Sequence, residues 1–490
     1  MTTADASVTR VSVHDYVTDP ALPQKDGVNL AHENIVTLLK AHDDPALQVD
    51  FHELNRLLGD ESHARDVLAG VDVVVSNVGP HAHYYFELRE RLGLDFRIVR
   101  DVRTAIWSSY LLQEWLCQPL LRDQDVLLVG SHYTRGVYEK MFPHLRNRAT
   151  VLCYPLAVCF PPPPRAARPP RQDGSPFCLG YVGRLSEDKN FPDVVELLIR
   201  LNRARPGGFR LIACGDLHSD SCRPETIQAL LHDQLGPGDH FEYLPPRNNQ
   251  DVWALYERFD AKVFSSTSNL ETLGRVLVEA SHAGVPVIAG RHAAAPELVP
   301  TASLCGVDYL TGRDFSAHFD HRLGHVRVDD MVSVVLGGDL PASDCHLEYL
   351  GHPEKFLKLL RTPPGQLPPA EALRLQPSQA EFVSRLRVKM PAPLLVNQAM
   401  DVIARLRPLF LDLQEKGLAA RQGVLALLME RSRHADRTAR FVTRSEATRC
   451  DFTDVGGIDI ELCHIAGFYP SFSLDREAPV PSVCQTATAD

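Results

Sequence analysis

Short apolar runs rich in β-branched residues alternate with helix-length amphipathic segments through most of the first 300 residues, and this alternation constrains the fold more than any other feature of the chain. A strand that returns to its own sheet in parallel needs a crossover helix, so the pattern calls for parallel sheets covered by helices on both faces. In the first half the runs are residues 11–17, 71–75 (VDVVV), 96–99 (FRIV), 126–129 (VLLV) and 151–153. Residues 29–40, with Leu30, Ile35, Leu38 and Leu39 on one face, read as the first helix, and the loop before it carries Pro23, Asp26 and Gly27. Residues 160–174, FPPPPRAARPPRQDG, can neither continue a helix nor donate to a central strand, which predicts an interdomain linker. A second set of runs follows at 177–182 (FCLGYV), 209–213 (FRLIA), 241–243, 261–264 (AKVF) and 285–289 (VPVIA). The predicted fold class is α/β, with two Rossmann-like doubly wound domains over residues 1–159 and 175–390.

The pattern degrades over 301–390. Residues 391–490 predict C-terminal helices and a tail that pack back on the other domains. Their helical segments are 394–414, with Leu395, Ala399, Ile403, Leu406 and Phe410 on its apolar face, and 419–442. Pro408 is expected to kink or break the first of these. A homodimer contact is the alternative use of their apolar faces, and the residues from about 478 read as a loose polar tail.

Composition narrows the function classes. The chain has 490 residues, 44% apolar and 23% charged, which excludes a wholly disordered, collagenous or coiled-coil protein. Its formal charge of -11 disfavours a chain-wide attraction to nucleic acid or anionic lipid. The start, MTTADASVTRVSVHDY, lacks the pattern of a signal peptide, and no integral membrane segment is expected, so a cytoplasmic location is predicted. The 11 cysteines are scattered without a C-x-x-C pair and read as reduced, mostly buried thiols.

Two local motifs carry chemistry. After FCLGYV come Gly183, Arg184, Leu185, Ser186, Glu187, Asp188, Lys189 and Asn190, which put two cations in one loop at the carboxyl edge of a sheet. A planar guanidinium and a mobile ammonium suit a diphosphate, while an exposed basic loop paired with Glu187 and Asp188 is the plainer reading. After AKVF, a loop delivers Glu271, Thr272, Leu273 and Gly274 to a helix start, where backbone N–H groups and the positive dipole end favour phosphate or sugar oxygens. Glu279 lies eight positions beyond Glu271 and would reach along the same helix side toward another part of one ligand. The plainer readings are a dipole-stabilised acid and a solvated face.

Together the motifs resemble the retaining, nucleotide-sugar-dependent glycosyltransferases of family 4, which have the GT-B architecture of two Rossmann-like domains facing a cleft. GRLSEDKN is similar to the family's G-R-L-x-x-x-K-N/G segment, and ETLGRVLVE followed by ASHAGVPVIA is similar to its E-x7-E signature; the likeness covers about residues 176–300. The resemblance implies a nucleoside-diphosphate sugar of UDP or GDP type as co-substrate, with no resident cofactor and no metal. It implies that Arg184 and Lys189 neutralise the leaving diphosphate, that Glu271 with the N–H groups of Thr272, Leu273 and Gly274 holds donor hydroxyls and phosphate, and that Glu279 holds the ribose. Gly183 belongs to the same donor loop, and the base would lie near Tyr243 and Leu244.

The first half resembles the family more weakly. Gly27 stands where a Gly-rich loop over the donor phosphates is usual, and Arg100-Asp101 where a His-Asp pair is usual. Arg100 and Asp101, together with Asn77, His81 and His83 after VDVVV, are the candidate acceptor contacts; an ion pair of Arg100 with Asp101 or Asp125 is the structural alternative. Ser131 after VLLVG reads as a helix cap. His318, His321 and His325 form a weak zinc candidate without cysteine. No G-x-G-x-x-G follows a strand, and neither a P-loop nor a G-x-S-x-G elbow occurs. The expected activity is retaining transfer to a small soluble acceptor, such as a specialised metabolite or a sugar phosphate, through an O, N or S atom. A nucleotide-sugar epimerase, a sugar phosphorylase and a non-catalytic partner subunit are the alternatives.

Overall fold

The computed structural model of the chain describes residues 8–15, 27–76, 81–103, 105, 111–145, 151–153, 174–247, 249–313, 315, 321–350, 353–369, 371–388, 396–416 and 472–474. The first sheet contains β1 (Thr9–His14), β2 (Leu47–His52), β3 (Val73–Ser76), β4 (Arg97–Val102), β5 (Val126–Val129) and β6 (Val151–Cys153). Its strands are parallel in the order β2-β1-β3-β4-β5-β6. Helices α1 (Gly27–Ala41), α2 (Leu54–Gly59), α3 (Glu61–Leu68), α4 (His83–Leu92), α5 (Leu111–Cys117) and α6 (His132–Met141) connect them. The inner strands VVVS and VLLV are buried along their whole length, and that is why they read as continuous apolar runs. Strand β2, LQVDFH, escapes the sequence reading because it pairs only with β1 and buries only its end residues. Gly27 opens α1 and is no part of the preceding loop.

The second sheet contains β7 (Phe177–Val182), β8 (Phe209–Cys214), β9 (Phe241–Leu244), β10 (Ala261–Phe264), β11 (Val287–Gly290) and β12 (Leu304–Cys305), in the order β12-β11-β10-β7-β8-β9. Its helices are α7 (Phe191–Ala204), α8 (Pro224–Leu235), α9 (Asn249–Tyr256), α10 (Arg275–His282) and α11 (Ala295–Leu298). From β7 the chain builds outward to β9 and then restarts on the other side of β7 with β10. The carboxyl ends of β7 and β10 therefore flank the topological switch point, which in doubly wound sheets is the crevice where ligands bind.

The weakly patterned stretch holds an antiparallel pair, β13 (Val307–Tyr309) with β14 (Gly324–Val326), then α12 (Val328–Gly337), α13 (His346–Tyr349), α14 (Pro353–Arg361) and α15 (Pro377–Arg385). Strand β15 (Leu386–Val388) and the long α16 (Val396–Lys416) follow, and β16 (Phe472–Leu474) pairs with β15. Packing assigns these elements differently from the sequence reading, which kept residues 175–390 in one domain. Phe356, Leu359 and Leu360 of α14 join the core on the β1 and α1 side of the first sheet. Ala399, Val402, Ile403, Leu406 and Phe410 of α16 join the core on its other side, and Phe382 of α15 packs where that core meets the second domain, against Tyr133 and against His292, Tyr309 and Phe315. The chain thus crosses back to the first domain from Pro353.

Arg97 of β4 anchors the crossing by donating to the carbonyls of Leu359, Leu360 and Thr362 at the end of α14, where helix carbonyls lack intrahelical partners. Helix α16 is continuous through Pro408, so the proline does not break it, and its buried stripe on both sides of the proline packs on the first domain. The segment 419–442, the linker apart from Gly174, and the tail from 478 lie outside the described residues.

Candidate active site

The crevice between β7 and β10 starts from two glycines that no other residue could replace. Gly183 and Gly215, which follow β7 and β8, have φ of 147° and 151°. A Cβ on Gly215 would stand 1.9 Å from the Gly183 carbonyl oxygen, so the two strand ends approach backbone to backbone. The Tyr181 hydroxyl donates to the Arg184 carbonyl at 2.7 Å and fixes the start of the basic loop. Asn190 closes that loop in the left-handed conformation, φ 52°, which Asn tolerates better than most residues. Its buried amide donates to the Ser265 carbonyl, to Thr267 Oγ1 and to the Gly324 carbonyl at 2.8–3.1 Å. Ser265 Oγ answers by donating to the Lys189 carbonyl at 2.9 Å. The loops after β7 and β10 are thereby locked together.

This lock brings Lys189 against Glu271, and the two form an ion pair that is mostly shielded from solvent. Ser266 Oγ donates to the same Glu271 oxygen at 2.8 Å. Burial raises the pKa of the Glu271 carboxyl, but Lys189 and Ser266 outweigh burial and hold it below the ordinary range. Arg184 pairs with Asp188 at 3.1 Å, and Ser186 donates to Asp188 at 2.6 Å. Burial of Asp188 is likewise outweighed by Lys189 and Arg184, so it stays ionised. Arg184–Asp188 and Lys189–Glu271 are therefore two ion pairs in one loop region, linked by the pull of Lys189 on the Asp188 carboxylate.

Glu271 lies ahead of α10, which starts at Arg275 with Gly274 as its left-handed cap, so Glu271 and Glu279 do not share the helix face that their spacing suggested. Glu279 is buried within α10, where it accepts from Tyr256 at 3.0 Å and pairs with Arg275 at 3.2 Å. At the outer side, the half-exposed Tyr243 donates to the Gly215 carbonyl at 3.1 Å, and the Leu244 carbonyl accepts from Gly215 at 3.2 Å.

The first domain closes over these loops. Gly27, at the start of α1, faces Arg275; a Cβ there would lie 3.6 Å from Arg275 Cδ. The Thr272 carbonyl accepts from Ser131 and Thr134 of the first domain at 3.0 and 3.3 Å, and Leu273 packs beside Gly130. Ser131 also caps α6, as expected, accepting from the Thr134 N–H.

Other residues in this region went unnoticed in the sequence. His292, after β11, is buried against the Ser268 carbonyl and the Tyr309 hydroxyl; burial, only partly opposed by Ser268 and Glu271, lowers its pKa to about 4. Glu297 of α11 accepts from the His132 and Tyr133 N–H groups of α6 at 3.0 and 3.1 Å and from Tyr349 and Gln379, tying the two domains together. Burial raises its pKa to about 7 against those hydrogen bonds.

Most of the acceptor candidates are not in the crevice. Arg100 is buried inside the first domain, bound through both guanidinium nitrogens to Glu114, which also accepts from Tyr138. Neither of the carboxylates considered from sequence is its partner: Asp101 pairs with Arg103, and Asp125 with Arg89. Asp101 is itself largely enclosed, and burial pushes its pKa up. His81 and His83 are buried too, with the His81 ring 4.5 Å from that of Phe410 on α16 and the His83 ring 4.3 Å from that of Tyr84. The crossover helix that covers them was the missing piece. Asn77 and His318 lie outside the described residues. Among the described residues no three His, Cys, Asp or Glu side chains are grouped to hold a metal, and His325 pairs instead with Asp193.

Two doubly wound parallel sheets, with a Gly-led basic loop and an acidic helix approach on the second, make up the GT-B architecture. Residues 165–307 match the family model described as Glycosyl transferases group 1. The chain is 29% identical over 241 residues to the D-inositol 3-phosphate glycosyltransferase of Corynebacterium efficiens, covering 45% of this chain and 56% of that protein. It is 35% identical over 111 residues to the protein of the same name from Mycolicibacterium smegmatis, covering 23% of this chain and 24% of the relative. The chain thus spans about half, or less, of the length of these relatives. Among solved structures, Anabaena Alr3699/HepE in complex with UDP aligns at 15% identity and a TM-score of 0.41, covering 81% of this chain and 98% of that one.

Proposed function

We propose that this chain transfers a glycosyl group from a UDP- or GDP-type sugar, bound in the β7–β10 crevice, to a small soluble acceptor presented by the first domain. The observation that carries this reading is the pair of cations, Arg184 on Asp188 and Lys189 on Glu271, at the topological switch point, with Lys189 also acting on Asp188. Without ligand, both cations rest on carboxylates. A diphosphate entering the crevice competes for them, and departure of the leaving group increases its charge and hence its hold on them, which lowers the barrier.

Glu271, released from Lys189, accepts from donor hydroxyls. Glu279 accepts from the ribose. In the retaining mechanism we propose, the bond between the anomeric carbon and the phosphate oxygen breaks, the acceptor oxygen bonds to that carbon from the same face, and the departing phosphate takes the acceptor's proton. Two fixed cations then stabilise the leaving group, and the proposed reaction proceeds in the presence of EDTA. The names of the Corynebacterium and Mycolicibacterium relatives favour a polyol phosphate as acceptor.

The test is turnover of radiolabelled UDP- and GDP-sugars by the purified chain, with and without inositol phosphates. Transfer is expected with one donor. Glu271→Gln and Lys189→Ala should each lower it by about 100-fold or more. Undiminished turnover in both variants would reject the site.

A further inference from the structure

Lys262 stands in the middle of β10, a strand otherwise made of Ala261, Val263 and Phe264, and its side chain is completely buried. An ammonium in such a layer ordinarily has a carboxylate partner. Among the described residues none lies within ion-pairing distance. The amine makes one long contact, 3.5 Å to the Val182 carbonyl oxygen, with the Tyr181 ring centroid 5.8 Å away.

That contact bridges β10 to the last residue of β7, the two strands that flank the crevice, and Val182 is followed directly by Gly183. Glu279 on α10 and Cys214 on β8 act on Lys262, with the Tyr181 ring of β7 beside it; Tyr256 on α9 and Arg275 on α10 face Glu279, and the paired strand β11 (VIAG) carries no titratable group. Glu279 favours the charged amine, but Tyr256 and Arg275 already share its carboxylate.

We propose that Lys262 is a proton-linked positioning residue of the donor subsite: it takes up a proton as an anionic nucleotide binds above it, adding a positive charge from beneath the crevice to those of Arg184 and Lys189. The inference rests on the donor site proposed above. An anion at the crevice rim stabilises the ammonium, and by linkage the ammonium stabilises the anion. Because the ligand also expels water from the rim, the interaction acts through a medium of low dielectric constant. Burial lowers the amine's pKa to about 7, so a substantial part of the population is neutral and able to accept the proton at physiological pH.

The experiment is calorimetric titration of the full chain with UDP and with GDP between pH 7.0 and 8.5, in buffers of different ionisation enthalpy. Above pH 7 the terminal phosphate of either ligand is largely ionised, its second pKa being about 6. The wild-type chain should take up about half a proton at pH 8, and its Kd should rise on the order of five-fold from pH 7.0 to 8.5. Lys262→Met should bind more weakly at pH 7 with neither effect, and Lys262→Arg, permanently charged, should bind without proton uptake. Nucleotide binding with no proton uptake in the wild type, or with the same uptake in Lys262→Met, would overturn this inference and leave the donor site intact. Failure of both nucleotides to bind would overturn the donor site and this inference with it.

Discussion

Arg100 is sealed against Glu114, whereas Lys189 pairs with Glu271 at the proposed donor site, and substitution of each by alanine should differ in its effect on transfer. Arg100→Ala leaves a buried carboxylate without its cation and should cost about 3–5 kcal/mol of stability, read as a lower denaturation midpoint, with the donor KM of the folded fraction unchanged. Lys189→Ala strips Glu271 of its cation in a mostly shielded pair, so it should also lower the midpoint, but unlike Arg100→Ala it should lose transfer in the folded fraction. Their difference also explains what could be read from sequence at this scale. Arg184, Lys189, Glu271 and Glu279 lie within two contiguous motifs, each tied to a strand end, so their place at a sheet edge was legible. Arg100 also lies near a strand end, but its side chain turns inward to α5, and only the fold reveals Glu114, fourteen residues away, as its partner. His292, Glu297 and Lys262 carry no motif; their environments come from segments distant in the sequence.

Among the elements, the crossing of α14, α15 and α16 was the least legible part. Their sequences show amphipathic faces but not which sheet those faces cover. Ile403 of α16 is fully buried in the first domain's core, and Ile403→Ala should cost about 2–5 kcal/mol, measured by chemical denaturation. An unchanged midpoint would mean that α16 does not pack there. Strand β2 was missed for the opposite reason: as an edge strand it buries only its two end residues fully, and its apolar content falls accordingly. Glu297 joins two elements, α11 and the first turn of α6, that belong to different domains. Glu297→Ala leaves two backbone donors without an acceptor and should destabilise the chain by about 1–3 kcal/mol per group left unsatisfied, with a rise in KM as the domains lose their tie. If neither stability nor KM changed, the tie would be incidental.

For the whole molecule, buried histidines set the response to acid. His32, His132 and His292 have pKa values lowered to about 4, and His52 to about 3, in each case chiefly by burial. The unfolded chain protonates these side chains near pH 6.5 and the folded chain does not, so stability is lost as pH falls below about 6.5. Glu297 acts in the opposite sense: with a folded pKa of about 7 it binds a proton that the unfolded chain releases above about 4.5, and it offsets one of the four histidines. The net loss should approach about 4 kcal/mol per pH unit around pH 5. Urea denaturation from pH 7 to 5 measures it, and a flat profile would contradict the buried placement of these rings.

The same two-domain arrangement makes a single pyrophosphate site between β7 and β10 the central claim. Its most direct test is calorimetric titration of the wild-type chain, Arg184→Ala and Lys189→Ala with UDP, GDP, ADP and dTDP. One nucleotide should bind the wild type at one site per chain, and each variant should bind it at least about ten-fold more weakly, the loss of one charge-assisted contact. Silence toward all four nucleotides, or equal affinity in all three proteins, would contradict the claim.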